Sequence, residues 1–86
     1  MKNKVLVKLY VPELYESYDV FVPVNEFIWK IKKIMVKSVS DLTNYPLNID
    51  DKYILINKTT GEVYNDNYLL IATDIRNITE LVLVSK

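Results

Sequence analysis

Residues 78–86, ITELVLVSK, contain the most strand-like segment of the chain, almost at its last residue. Because side chains alternate along a strand, Leu81 and Leu83 fall on one face and Val82 and Val84 on the other. A strand that is apolar on both faces is best placed in the middle of a sheet. The segment therefore predicts a final strand inserted centrally, beside the first strand.

Two further strand patterns lie at the start of the chain. Residues 4–11, KVLVKLYV, alternate with period two, the pattern of a strand with one buried face. Residues 18–24, YDVFVPV, alternate again until Pro23, which cannot continue a central ladder. The intervening stretch PELYES is typical of a short turn, so the two strands are predicted to form an antiparallel hairpin.

The pattern then changes to that of an amphipathic helix. Asn25 is the predicted N-cap, and Asn44 and Pro46 supply the stop. These limits predict a helix of about 17 residues, with an apolar stripe centred near Ile31 and Leu42. The apolar residues recur at steps of three and four: Val24, Phe27, Ile28, Ile31, Ile34, Met35, Val39 and Leu42.

Two large apolar residues fall outside this stripe. Trp29 and Val36 are predicted on the opposite, lysine-bearing side of the helix. If Asn25 is the N-cap, Val24 and Trp29 occupy the two positions of a hydrophobic staple. A partner contact is the other interpretation, because Trp is enriched at binding hot spots. Both remain open, and Trp29 and Val36 are candidate partner-binding residues.

The second half of the chain supplies the rest of the sheet. Residues 44–51 are interpreted as a loop, and residues 52–57, KYILIN, as a strand. Gly61 suits a turn that requires positive φ, and this turn leads into a further short strand. Residues 65–75 predict a short helical turn or an ordered loop.

The elements together predict an α+β fold, with residues 1–86 forming a single domain. One main helix packs on one face of a mixed sheet of four to five strands and leaves the other face in water. A final strand placed centrally beside the first strand is the arrangement of the β-grasp, the ubiquitin-like fold.

The chain also resembles the EsaB/YukD family over residues 4–84. The resemblance is carried by SYDVFVP (17–23) and the helix VNEFIWKIKKIMVKSVSDLTN that follows at once (24–44). Further along, it is carried by YILINKTTGEVYN (53–65) and DIRNITELVLV (74–84). Members of this family are ubiquitin-like accessory proteins of the type VII (ESX-like) secretion systems of Gram-positive bacteria.

The resemblance implies a cytoplasmic, non-covalent interaction or regulatory module of such a secretion system. Its implied partners are the secretion ATPase or the membrane components beside it. The chain departs from the family in the turn before the last strand, RNITEL, which lacks the expected glycine. Asn77 tolerates left-handed backbone geometry, so the strand itself is expected to form.

Composition argues against the common catalytic chemistries. The 11 basic and 11 acidic residues balance, and the sequence has no cysteine and no histidine. These absences remove thiol chemistry, the commonest general base and the commonest metal ligand. The single glycine, Gly61, excludes a Gly-rich phosphate loop. We therefore predict no enzymatic activity, no cofactor and no metal site.

Two weaker patterns are weighed against this interpretation. Asp50 and Asp51 are read as a solvated loop, because a calcium site needs six or more oxygen ligands. A nucleic-acid-binding or other regulatory β-grasp protein is the alternative function. Its one candidate surface is the lysine group at positions 30, 32, 33 and 37. The balanced net charge gives no general attraction to nucleic acid.

Two features bear on how the chain acts. Ubiquitin-type modifiers carry a terminal Gly-Gly tail, whereas this sequence has only Ser85 and Lys86 after the strand, so we expect no covalent attachment to targets. No apolar run approaches the length of a membrane span, and no signal-peptide cleavage site follows the first residues. We therefore expect a cytoplasmic location without direct membrane insertion.

The open face of the sheet is the main predicted partner-binding surface. Alternation places Leu6 and Tyr10 outward from the first strand and Ile54 outward from the third. Val82 and Val84 point outward from the last strand. The five are expected to form one apolar patch, centred on Leu6, Ile54 and Val82, with Lys8 and Glu80 at its margins. Such a patch often marks a protein-binding site, and a homodimer explains it equally well.

Overall fold

Four strands and one long helix make up the described part of the chain. The structure is a computed structural model that describes residues 3–44, 47–48 and 52–86. In chain order the elements are β1 (Lys4–Val11), β2 (Glu16–Pro23), α1 (Ile28–Thr43), β3 (Tyr53–Asn57) and β4 (Glu80–Ser85). Single turns of 3₁₀-helix lie after β1 (Pro12–Leu14) and between β3 and β4 (Leu70–Ala72).

The sheet has the order β2-β1-β4-β3, with the last strand in the interior as its sequence predicts. β4 runs parallel to β1 and antiparallel to β3, and β1 and β2 form the predicted antiparallel hairpin. The further short strand predicted after Gly61 is reduced to one bridge between Ile56 and Val63. The described sheet is therefore mixed and four-stranded, and α1 covers one face, as predicted for the α+β class.

The core lies between α1 and the inner face of the sheet. It is built from alternate strand residues, because only every second side chain of a strand faces the helix. The fully enclosed members of this core are Val7, Leu9, Val11, Val22, Ile28, Ile31, Met35, Val39, Leu70, Leu81 and Leu83.

The helix begins two residues later than predicted. Phe27, not Asn25, precedes the first helical residue, and no side chain caps the helix. The preceding residues form a turn and a bend that tertiary backbone bonds hold in place: the Leu70 N–H donates to the Glu26 carbonyl oxygen (2.9 Å) and the Ile71 N–H to that of Val24 (3.1 Å). Tertiary backbone pairing thus overrides the local cap preference of Asn25. The helix ends as predicted at Asn44, which adopts a φ of 55°.

The buried stripe of α1 is also rotated relative to the prediction. Ile31 is buried, but Leu42 lies in the last turn with 63% of its surface exposed. The stripe is centred on Ile28, Met35 and Val39, roughly 50° away from the predicted centre at 100° per residue. This rotation brings Val36, with 2% exposure, into the core.

The turn before β4 lacks the expected glycine and forms with a different residue in the left-handed region. The left-handed residue is Ile78 (φ 70°), not Asn77. The Asn77 side chain instead accepts a hydrogen bond at Oδ1 from the Leu6 N–H (2.9 Å), and the Ile78 N–H donates to the Leu6 carbonyl oxygen (2.6 Å). Both bonds fix the turn against β1.

A buried polar network holds the connection between β3 and β4. The Tyr64 hydroxyl donates to Oδ1 of Asp74 (2.6 Å) and accepts from Nδ2 of Asn57 (3.0 Å). Oδ1 of Asn57 in turn accepts from the N–H groups of Thr59 (2.9 Å) and Thr60 (3.1 Å). The network joins the turn after β3 to the segment that follows the second 3₁₀ turn. The predictions for Pro46, Asp50 and Asp51 lie outside the described residues.

Candidate protein-interaction surfaces

The outer face of the sheet carries one compact apolar group. Tyr10 is paired with Val82, which is paired with Ile56, and Val84 is paired with Ile54. All five side chains are partly buried by their neighbours and face away from α1. We call Tyr10, Ile54, Ile56, Val82 and Val84 the outer apolar cluster. Ile56 was missed in the sequence because YILI has no clear alternation.

Leu6 does not belong to this cluster, so the predicted single patch is wrong. Leu6 and Tyr10 are four residues apart on β1, about 13 Å along the strand, with Lys8 between them. Lys8 is paired with Glu80 across the β1–β4 ladder, so these charges cross the middle of the face instead of lying at its margins. Leu6 is instead paired with exposed Phe21 of β2.

A row of four charged residues separates the two apolar groups. Asp19 is paired with Lys8 and Lys8 with Glu80, and the Lys58 N–H donates to the Glu80 carbonyl oxygen (3.0 Å). All four line one shallow depression of about 290 Å³. None has an ion-pair partner within the part of the chain that the structure describes. We call Asp19, Lys8, Glu80 and Lys58 the charged row.

Beyond the charged row, Leu6, Phe21 and Ile78 form a second apolar group, the Leu6 group. Ile78 is 58% exposed and is hydrogen-bonded to Leu6 through the backbone. It lines a second depression, of about 450 Å³, together with Lys8 and Glu80. The outer face therefore has three bands: apolar, charged and apolar.

A second and more exposed apolar surface lies on the helix side of the molecule. Trp29 is 45% exposed and Tyr68 57% exposed, and three further large apolar side chains nearby exceed a third. We call Phe27, Trp29, Tyr68, Leu69 and Ile71 the Trp29 surface. The sequence pointed only to Trp29: Phe27 was assigned to the apolar stripe of the helix but is 43% exposed, and Tyr68, Leu69 and Ile71 become its neighbours through long-range pairing.

Backbone hydrogen bonds build the Trp29 surface. The first helical N–H, of Ile28, donates to the Tyr68 carbonyl oxygen (2.9 Å), and that of Trp29 donates to the Asp66 carbonyl oxygen (3.3 Å). Phe27 and Leu69 form a bridge beside them. The loop carbonyls thereby replace the side-chain cap that helix N–H groups normally require. The same bonds hold residues 66–71 against the start of α1.

The hydrophobic staple is excluded by this geometry. Since Phe27 occupies the cap position, Glu26 and Ile31 take the two staple positions, and Trp29 is not among them. Trp29 therefore lies on the flank of the buried stripe with its ring half in solvent. Val36, in contrast, is buried, so its assignment as a partner-binding residue is wrong.

The helix lysines are mostly engaged within the chain. Nζ of Lys30 lies 3.4 Å from Glu26, and Nζ of Lys32 lies 2.7 Å from Asp66 and donates to the Tyr53 carbonyl oxygen (2.6 Å). Nζ of Lys33 lies 5.5 Å from the centroid of the Trp29 ring. These contacts account for three of the four lysines without a nucleic-acid ligand, and Lys37 is exposed on the helix.

The described residues offer neither a metal-binding cluster nor a membrane-spanning helix. Residues 3–44, 47–48 and 52–86 contain no group of three or more acidic, histidine or cysteine side chains able to hold a metal ion. Within the same residues, no helix has the length and hydropathy required to cross a bilayer.

Comparison with known proteins gives matches in structure only. No family model and no curated protein sequence matches the chain. A chain of an ESX-5 inner membrane complex superposes on 98% of this chain with a TM-score of 0.80 and 16% identity. The matched region is only 21% of that longer chain. The UBL domain of Plasmodium falciparum Dsk2 gives a TM-score of 0.68 and 16% identity, covering 96% of this chain and 99% of that one.

The fold is the ubiquitin-like β-grasp. It also occurs in a chain of the toluene 4 monooxygenase HD complex, with a TM-score of 0.72 and 9% identity over 96% of this chain and 99% of that one. Domains of such different settings share the same architecture, so the fold alone assigns no activity. Function has to be argued from the surfaces.

Proposed function

We propose that the chain is a non-covalent protein-interaction module of a bacterial type VII secretion system, without enzymatic activity and acting in the cytoplasm. The observation that carries the proposal is the whole-length superposition on part of a chain from an ESX-5 inner membrane complex. The resemblance of SYDVFVP and the following helix to the EsaB/YukD family supports the same assignment.

The Trp29 surface is the proposed contact with the secretion machinery. Trp29 and Tyr68 are large, half-exposed aromatic side chains on a backbone fixed by hydrogen bonds. Aromatic anchors of this kind dominate binding energy at protein interfaces, and a pre-organised backbone lowers the entropic cost of binding. The partner is a membrane component or the ATPase of the secretion complex.

Affinity capture in the native bacterium tests this proposal. The tagged full chain is expected to capture the secretion ATPase or its membrane partners after mild cross-linking, identified by mass spectrometry. Trp29→Ala is expected to lower the affinity about 30-fold, the effect of losing a hot spot of about 2 kcal/mol. Leu42→Ala is the matched control, since Leu42 is an exposed apolar residue at the far end of α1.

Two results would count against the proposal. If the wild-type chain captures no secretion component above an untagged control, the function is wrong. If Trp29→Ala and Leu42→Ala capture the same components equally well, the function stands but the surface is wrong. Thermal melts of both variants are expected to stay close to the wild type, because neither side chain belongs to the buried core.

A further inference from the structure

The charged row has a sign pattern that is complementary to itself. From β2 to β3 its order is Asp19, Lys8, Glu80 and Lys58, so the charge alternates negative, positive, negative, positive. The centre of the row lies between β1 and β4, which is also the centre of the four-stranded sheet. Reversing the row about this centre places every charge opposite one of the other sign.

A two-fold axis along the strands produces this reversal when two sheets meet face to face. Rotation about an axis between β1 and β4 keeps the height along the strands and exchanges the two sides of the sheet. Lys8 then faces Glu80 of a second molecule, and Asp19 faces Lys58. A dimer with two-fold symmetry requires a self-complementary surface, and this row meets that requirement.

The same rotation also matches the apolar bands. Tyr10 comes to face Val82 of the second molecule on one side of the charged row. On the other side, Leu6 comes to face Ile78. An axis perpendicular to the strands would instead place Lys8 against Lys8 and Glu80 against Glu80. The charges therefore favour the axis parallel to the strands over the axis perpendicular to them.

We propose that a second copy of this chain binds the outer face, forming a symmetric dimer about an axis parallel to β1 and β4. Within the described residues no salt bridge engages the four charges of the row, although Nζ of Lys58 lies 5.8 Å from the centroid of the Tyr10 ring. Carboxylates and ammonium groups without a salt bridge can pair with those of a second copy, which supports this occupant. The proposal is independent of the secretion role. It leaves the Trp29 surface, on the helix side of the sheet, free for another protein.

The conformation of Ile78 is a separate observation in favour of this interface. A left-handed φ of 70° is unfavourable for a β-branched residue, and glycine or asparagine would adopt it at lower cost. The side chain obtains little burial in return, as it is 58% exposed. Strained residues of this kind cluster at functional sites, and contact with Leu6 of a second copy supplies the missing burial.

The width of the outer face indicates how strongly the proposed dimer associates. Four strands about 4.8 Å apart give a width of roughly 19 Å, so the interface falls at the small end of the specific class. The dimer is therefore expected to be concentration-dependent. Sedimentation velocity from about 10 µM to about 1 mM should show a shift from monomer to dimer as the concentration rises.

Charge reversal tests the symmetry. Lys8→Glu is expected to weaken the dimer about 100-fold, because each of the two new glutamates then faces Glu80 of the other copy, and Glu80→Lys should do the same. An equimolar mixture of the two variants is expected to restore association as a heterodimer, since each new charge then faces its opposite. Native mass spectrometry with one variant ¹⁵N-labelled identifies the heterodimer.

The controls are Lys37→Glu and Asp41→Lys, which make the same charge changes on the exposed helix. Both should dimerise like the wild type. A wild-type chain that stays monomeric throughout overturns the proposal, and so does a Lys8→Glu variant that is folded by thermal melt yet dimerises normally, as an edge-to-edge dimer would. Loss of secretion partners with an intact dimer counts only against the proposed function.

Discussion

The outer sheet face and the Trp29 surface are both apolar, but different forces hold them in place. The outer face rests on ladder pairing, with Tyr10 beside Val82 and Val84 beside Ile54. The Trp29 surface rests on a few hydrogen bonds between the start of α1 and residues 66–71. Loss of the first surface therefore requires unfolding of the sheet, whereas loss of the second requires only local unfolding of residues 66–71.

The largest loss of stability is expected from a substitution at Leu70, which anchors the loop of residues 66–71. Leu70 is fully buried, whereas the adjacent Ile71 is exposed. Leu70→Ala is expected to cost about 3 kcal/mol of unfolding free energy through lost burial and a cavity, and Ile71→Ala less than about 1 kcal/mol. Urea denaturation measures both values.

Hydrogen exchange locates the effect. In Leu70→Ala, amide protection at Ile28 and Trp29 is expected to fall more than protection in β4, because their acceptors lie in the loop. Equal loss of protection in β4 would mean that the two surfaces are not held independently. Ile71→Ala is expected to leave both regions as protected as in the wild type.

The next largest effect is expected at Tyr64, whose hydroxyl bonds to Asp74 and Asn57. Tyr64→Phe deprives the buried Asn57 amide of an acceptor and is expected to cost about 2 kcal/mol. Tyr68→Phe is the matched control, since Tyr68 is exposed on the Trp29 surface. A Tyr64→Phe variant as stable as the Tyr68→Phe variant would contradict a structural role for the network.

The pH dependence of stability gives a second test of the Tyr64 hydroxyl. Burial, and then the hydrogen bond to Asp74, raise the pKa of Tyr64 from 10.0 to about 12. The folded state thus holds this proton more tightly than the unfolded state. Its contribution is complete below pH 10 and declines as the pH rises to about 12, by about 1.4 kcal/mol per pH unit. The stability difference between wild type and Tyr64→Phe should shrink over that range in urea titrations.

The smallest effect concerns the strained turn at the edge of the outer face. Ile78→Gly is expected to be more stable than Ile78→Ala by about 1 kcal/mol, because alanine keeps the left-handed strain and glycine removes it. Both variants are expected to dimerise more weakly than the wild type, since both lose the contact with Leu6. Equal stability of the two variants would show that the turn relaxes out of the left-handed region.

Local pattern was enough for the four strands of the described sheet and for the central place of the last one. The alternation of residues 4–11 and the two-sided apolar character of β4 predict that β4 lies in the interior of the sheet beside β1, but not that the two strands run parallel. The same alternation predicts that Tyr10, Val82 and Val84 face outward. It did not reveal that Leu6 lies on the far side of the charged row, because that separation depends on the register between strands.

Long-range backbone pairing accounts for most of what was mispredicted. The bonds from Leu70 to Glu26 and from Ile71 to Val24 hold a non-helical turn where Asn25 was expected to cap the helix. The buried stripe of the helix is rotated from the predicted one, so that Leu42 is exposed and Val36 lies in the core. Contacts across more than forty residues leave no periodic signal in the sequence.

The most direct test compares Lys8→Glu with Trp29→Ala in two assays, sedimentation and capture of secretion components. The central claim is that the outer face and the Trp29 surface bind different proteins. Lys8→Glu is expected to be monomeric and still capture the secretion components, whereas Trp29→Ala is expected to dimerise and fail to capture them. If each folded variant loses both properties, or if Lys8→Glu alone loses capture, the two-surface account is contradicted.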